Sequence, residues 1–219
     1  MKIQRGSLFH PEKDYYKAAG IILLVAVIQF FMAVNLAETQ YPDYNIANNT
    51  LSSLGGTLPS VEPSATIFNT SIILLGILSL LSVYLILESG GCRLFSSCLT
   101  ISAMGLVGIG IFPSYAGGAH TFFAFITLLF GCLAVIFSYR LGLNIPMIII
   151  SMITGLIGLS IIIFSLVFGM NNLIINYLGV GGTERFVAYP LLLYFAGLGG
   201  YLTCRGQDWV RIRFTEGYF

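Results

Sequence analysis

Ala65 to Leu87 reads ATIFNTSIILLGILSLLSVYLIL, a run of 23 residues without a single Asp, Glu, Lys or Arg. An α-helix rises about 1.5 Å per residue and the hydrocarbon core of a bilayer is about 30 Å thick, so about 20 apolar residues make one crossing. The run is continuously apolar rather than alternating, which argues against a strand of a membrane barrel. Five more stretches share its character: Ala18 to Ala37, Leu94 to Phe112, His120 to Tyr139, Ile145 to Phe168 and Phe186 to Thr203. Lipid offers no partner to backbone N–H and C=O groups, so each crossing must satisfy its own, and a helix does. The expected fold is an all-α polytopic bundle of six transmembrane helices.

Composition agrees. Hydrophobic residues make up 57% of the chain and charged residues 9%, against about 25% charged in a soluble domain. Mean hydropathy is +0.90. Ten basic and nine acidic residues cannot clothe a water-facing surface, and a net charge of +1 without a basic patch leaves no basis for a nucleic-acid partner. Cys92, Cys98, Cys132 and Cys204 show neither CxxC nor Cys/His spacing and read as small apolar residues or inert thiols. The first apolar run outlasts the core of a leader peptide and follows a charged, aromatic segment, so it reads as the first membrane helix.

The flanks give boundaries and orientation. Glu88-Ser89-Gly90-Gly91 separates helices two and three, Pro113 ends helix three, Pro146 opens helix five, and Pro190 is expected to kink helix six. Lys2, Arg5, Lys13, Lys17, Arg93, Arg140, Arg205, Arg211 and Arg213 fall on one side if the helices alternate; Arg185 alone falls on the other. The positive-inside rule then puts both termini in the cytoplasm. The expected organisation is a cytoplasmic tail over 1–17, a membrane domain over 18–203 with outer loops at 38–64, 113–119 and 169–185, and an interfacial tail over 204–219. Glycines at 105, 108, 110, 155, 158, 197, 199 and 200 are expected to let helices approach closely.

Chemistry, if any, is expected at the outer loops, where function tends to sit. The first holds Tyr44-Asn45-Ile46-Ala47-Asn48-Asn49-Thr50-Leu51-Ser52-Ser53-Leu54-Gly55-Gly56, dense in Asn, Ser and Thr. A short interfacial helix with Asn48 or Asn49 as its N-cap is expected there. Asn48-Asn49-Thr50 also matches the glycosylation sequon. Asn69 lies one turn inside helix two and needs a partner. Thr183 is expected to cap helix six, with Glu184 favouring its positive N-terminus. Arg185 is expected to pair with Glu38 or Glu62, or to hold an anionic head group. Glu38, Asn45, Asn48, Ser52, Asn69, His120, Glu184 and Arg185 can converge on one polar outer vestibule. A hydrolytic arrangement can be drawn from Ser52 or Ser53, His120 and Asp43, but no nucleophile-elbow pattern marks either serine. His120 with two outer carboxylates falls short of the usual zinc ligand set, so no metal and no cofactor are expected.

Three stretches together resemble a known family: Asn49 to Gly56 with Ile67-Phe68-Asn69, then Gly108-Ile109-Gly110-Ile111-Phe112-Pro113 with His120, then Gly182-Thr183-Glu184-Arg185 with Pro190. They resemble the archaeal membrane family catalogued as domain of unknown function 998 (DUF998), over nearly the whole chain. The resemblance implies six helices and an archaeal plasma membrane, and it supplies no reaction. Ser53 and Leu54 precede Gly55 where many relatives favour an acidic or polar residue, which counts against catalysis by an acid there. The leading expectation is a non-catalytic component that binds lipid or serves as an accessory subunit, with membrane lipids, a membrane protein or a second copy as partners. The rival is a membrane-embedded hydrolase or metal enzyme acting on lipid; a carrier or channel is disfavoured because the spans lack ionisable residues.

Overall fold

The computed structural model describes residues 11–169 and 172–205. Most of the basic, aromatic C-terminal tail expected at the interface lies outside these residues, as do residues 1–10. Six α-helices form the structure: α1 (Pro11–Thr39), α2 (Ser64–Glu88), α3 (Arg93–Ile111), α4 (Gly118–Phe137), α5 (Ile145–Phe168) and α6 (Leu173–Arg205). Short 3-10 turns at Leu51–Gly55, Ser114–Ala116 and Ser138–Leu141 punctuate the links, and no strand occurs among the described residues. All six helices are long and apolar enough to cross a membrane, and the chain is a multi-pass membrane protein.

The bundle is built the way lipid requires. Its surface carries large apolar side chains such as Ile149, Ile153, Leu156 and Leu166, while its interior holds small polar ones: Ser71, Ser79, Ser82, Ser102, Thr127 and Ser151. Burial in lipid gains little from the hydrophobic effect, so close contact and hydrogen bonding decide the packing. Ser82 Oγ donates to the Ala19 carbonyl at 2.9 Å and so ties α2 to α1; Ser102 Oγ donates to the Thr127 carbonyl at 2.8 Å and so ties α3 to α4. α1, α2, α3, α4 and α6 pack round one interior. α5 stands at the rim, with only Ser151, Gly155, Gly158 and Ile161 buried.

Among the glycines expected to permit close approach, those at 105, 108, 110, 155, 158 and 199 do so, whereas Gly197 and Gly200 face open space. Two glycines that sequence reading passed over also matter. A Cβ on Gly20 would come 2.5 Å from the Gly199 carbonyl oxygen, where α1 crosses α6, and one on Gly76 would come 2.8 Å from the Ala103 carbonyl.

Helix boundaries follow local chemistry. Asn144 caps α5 by accepting from Met147 N at 3.1 Å, with Pro146 beside it. α6 departs from expectation. It begins at Leu173 rather than Phe186, capped by Asn172, whose Oδ1 accepts from Ile175 N at 2.9 Å. Much of the expected outer loop over 169–185 is therefore helical. Thr183 does not cap this helix; its hydroxyl donates to the Gly179 carbonyl inside it. The non-helical residue within α6 is Gly179, at φ 75° and ψ 169°, and not Pro190.

The Gly20 crossing yields a test. Gly20→Ala sets a side chain against unyielding backbone and should cost about 1–3 kcal/mol. Gly200→Ala meets nothing and should stay within about 0.5 kcal/mol of the parent. Thermal unfolding of both in one detergent is the comparison; equal melting temperatures would refute the close crossing.

Candidate functional site

The link from α1 to α2 folds as a compact loop over one end of the bundle. Asn45 Oδ1 accepts from Ala47 N at 3.0 Å and Asn48 N at 3.1 Å, and Asn49 Oδ1 accepts from Asn45 N at 2.9 Å. These Asx turns use both asparagine side chains locally. The N-cap of the following 3-10 turn is consequently Thr50, in place of Asn48 or Asn49; its hydroxyl oxygen accepts from Ser53 N at 3.2 Å. Leu51 and Leu54 project from that turn into the bundle and are buried.

α6 clamps the loop through two adjacent charged residues. Arg185, 6% exposed, donates from Nη1 to the carbonyls of Ile46 (3.0 Å), Asn49 (2.9 Å) and Gly181 (3.1 Å). Its Nη2 donates to Glu38 Oε1 at 3.0 Å and to the Tyr44 hydroxyl. Of the partners expected for Arg185, Glu38 is the one it meets. Tyr44 in turn donates to the Thr50 carbonyl at 2.9 Å. Burial pushes the Tyr44 phenol up to about 12, against the nearby guanidinium, which favours the phenolate. Glu184 turns the other way. Its Oε2 accepts from Leu51 N at 2.5 Å, so a carboxylate sits at the positive end of the 3-10 turn. The glycines of α6 permit this contact: a Cβ on Gly179 would lie 2.1 Å from the Ala47 carbonyl oxygen, and one on Gly181 the same distance from that of Asn49.

Other elements complete the anchorage. Asn69 Nδ2 donates to the Gly55 carbonyl at 2.8 Å, Ser64 Oγ to the Leu54 carbonyl at 3.2 Å, and Ser114 Oγ to the Gly56 carbonyl at 2.5 Å. His120 Nδ1 bonds the Phe112 carbonyl at 2.8 Å across the α3–α4 turn. A carbonyl only accepts, so Nδ1 carries the proton, and Nε2 is the basic nitrogen of the neutral ring.

Beneath the loop lies an internal cavity of about 100 Å³. Its walls are apolar side chains of α1, α2, α3, α4 and α6, among them Phe30, Phe68, Leu75, Ile109, Ala124 and Leu191, with Ser79, Ser102 and Thr127 further down. Its loop end is polar: Ser52, His120 and Glu184.

A family profile described as a protein of unknown function (DUF998) matches residues 24–200. The chain belongs to the DUF998 family. No curated protein and no solved structure matches it.

In this DUF998 member the eight residues expected to converge fall into distinct groups. Ser52, His120 and Glu184 share the cavity. Glu38, Asn45 and Arg185 build the clamp, and Asn69 anchors the turn. Asn48 contributes backbone, its side chain exposed. Asp43 is exposed, with φ 57°, and belongs to neither group, while Ser53 Oγ donates to the Thr50 carbonyl at 2.6 Å. Among the described residues no group of three or more His, Cys, Asp or Glu side chains is placed to hold a metal ion. Tyr44, Ser64 and Ser114 escaped the sequence reading; the aromatic within an Asn-rich loop was the available signal for Tyr44.

Arg185→Ala strands Glu38 and three carbonyls and should cost about 3–5 kcal/mol. Arg185→Lys keeps the charge but loses the planar fork and should also destabilise. Asn48→Ala should stay within about 0.5 kcal/mol of the parent. Thermal unfolding ranks the three, and an Arg185→Ala protein as stable as the parent would dismiss the clamp. Tyr44 adds a pH test. A phenol pushed up from 10.0 to about 12 contributes stability that is complete below pH 10 and lost as pH rises through about 12. Tyr44→Phe should remove that increment of alkaline sensitivity in parallel unfolding curves.

Proposed function

We propose that this DUF998 member is a non-catalytic membrane protein that binds a lipid inside its helix bundle. The observation that carries the reading is the cavity: apolar for most of its depth and polar at one end, as an amphiphile is. Its lining ends at Ser79, Leu99 and Phe195, short of the far ends of α2, α3 and α6, which favours a binding pocket over a transport path. The setting proposed is an archaeal plasma membrane with both termini cytoplasmic, supported by the nine-to-one division of basic residues. The polar end of the cavity then faces the outer leaflet.

A second reading, a membrane-embedded lipid hydrolase, draws on one observation. His120 presents a basic nitrogen in the same cavity as Ser52 and Glu184. Against it, Ser52 Oγ pairs with Thr50 Oγ1 at 3.2 Å, and Glu184 is engaged by the Leu51 amide.

The test is lipid retention. Protein purified in mild detergent should carry lipid detectable by mass spectrometry, and Ala124→Phe, which fills the cavity, should lose most of it while keeping its helical content. Equal retention in both proteins would sink the reading. Orientation is checked separately by an impermeant maleimide on a background lacking the native cysteines. His10→Cys should react only after permeabilisation and Asn48→Cys in intact cells.

A further inference from the structure

The shape and chemistry of the cavity say more about the ligand than that it is a lipid. On three helices the lining covers the same length: Phe68 to Ser79 on α2, His120 to Gly131 on α4 and Glu184 to Phe195 on α6. Eleven steps of about 1.5 Å make a depth of about 16 Å, half of a hydrocarbon core about 30 Å thick. The cavity is therefore as deep as one leaflet. Room for atom centres of about 100 Å³ over that depth, widened by the atoms' own radii, leaves a channel one chain wide. Two tails side by side do not fit.

The polar end is rich in acceptors and poor in donors. Glu184 presents a carboxyl group whose Oε2 already accepts from the Leu51 amide. His120, its Nδ1 proton committed to the Phe112 carbonyl, presents an acceptor at Nε2 when neutral. The Leu51 amide is taken by Glu184. The nearest cation, Arg185, is outside the lining, its guanidinium directed to Glu38, Tyr44, two loop carbonyls and the Gly181 carbonyl of α6. An anionic head group would set a second acidic group beside buried Glu184 with no unpaired cation in the lining, and two acids that cannot both ionise away from bulk water make that contact costly. A head group that donates hydrogen bonds meets complementary partners on two sides.

We propose that the cavity takes a single-tailed amphiphile whose head donates hydrogen bonds through hydroxyl or ammonium groups, and that it rejects phosphate and carboxylate heads. This rests on the lipid-binding reading above. Ser52 adds a hydroxyl that can donate or accept, and so adapts to either source of donor.

The experiment compares heads on one tail. The full chain, delipidated in detergent, is titrated with monooleoylglycerol, oleylamine, oleic acid, oleoyl lysophosphatidate and the two-tailed dioleoylglycerol, with binding read by native mass spectrometry and thermal shift. Monooleoylglycerol, oleylamine or both should bind about tenfold or more tighter than the two anionic probes; which of the two leads separates hydroxyl from ammonium recognition. Dioleoylglycerol should bind weakly. Ala124→Phe should weaken every probe that binds, and Glu184→Gln should narrow the gap between neutral and anionic heads. If Glu184→Gln does not fold, the series on the parent protein decides by itself. Oleic acid or lysophosphatidate binding as tightly as monooleoylglycerol, still blocked by Ala124→Phe, overturns the head-group inference and leaves the lipid-binding reading standing. Dioleoylglycerol binding as well as monooleoylglycerol overturns the single tail. If no probe binds, or if Ala124→Phe weakens none, the lipid-binding reading falls and this inference with it.

Discussion

A guanidinium withdrawn from water needs acceptors, and both terminal nitrogens of Arg185 have them, while its Nε is buried without one. Two loop carbonyls, the Gly181 carbonyl of α6, a phenol and a carboxylate surround it. The planar fork of arginine meets partners in several directions at once, which an ammonium on a flexible stem does less well. The constraint acts on both sides. The guanidinium needs those carbonyls, and the carbonyls of an Asn-rich loop at a membrane interface need donors, because the loop forms no ladder of its own. Arg185 thus fixes the first half of the α1–α2 loop over the bundle, and Glu184, Asn69, Ser64 and Ser114 fix the second.

Glu184 and Arg185 are consecutive, and neighbours on a helix point about 100° apart. One reaches across to the loop and α1, while the other turns to the cavity and to the N-terminus of the 3-10 turn. The same short segment thus fixes the lid and furnishes the polar end of the space beneath it. Gly179 and Gly181 make the arrangement possible, since the loop backbone lies where their side chains would be. Leu51 and Leu54 then enter between the helices, and Ser52 between them reaches the cavity.

The six helices were legible because each contains an uninterrupted uncharged run, a signal that survives any detail of packing, although α6 as it stands also carries Glu184 and Arg185. The start of α6 was not, because Gly179-Val180-Gly181-Gly182-Thr183 has the composition of a loop. In the structure Gly179 and Gly181 serve close contact with the first loop, and Gly179 also takes the positive φ at which α6 breaks. The outer polar residues were legible as a set, and the partnership of Arg185 with Glu38 was among the pairings the charges allowed. Their division into a structural clamp and a cavity end was not, since it depends on which way two adjacent side chains turn. The cap of the 3-10 turn was misplaced for a related reason. Asn45 and Asn49 close their own turns, and the role passes to Thr50. A cavity leaves no mark in a sequence at all, and nothing in the run distinguishes Ser79, which lines it, from Ser82, which ties α2 to α1.

The cavity itself bears on whether the bundle stands empty. A void costs packing energy on the order of 24 cal/mol per Å³, so about 100 Å³ left unfilled costs on the order of 2 kcal/mol. In a soluble protein, larger side chains can fill such a space and gain from leaving water. In a bilayer that gain is largely absent, because lipid tails are as apolar as leucine. A chain drawn from the surrounding lipid can restore the lost dispersion contacts without water exposing or burying any new apolar surface. On the proposed reading the balance rests on the head group, which Glu184, His120 and Ser52 would discriminate among single-tailed lipids. Specificity at the mouth and tolerance along the walls would then follow from one arrangement, an apolar channel under a loop that Arg185 helps to hold in place.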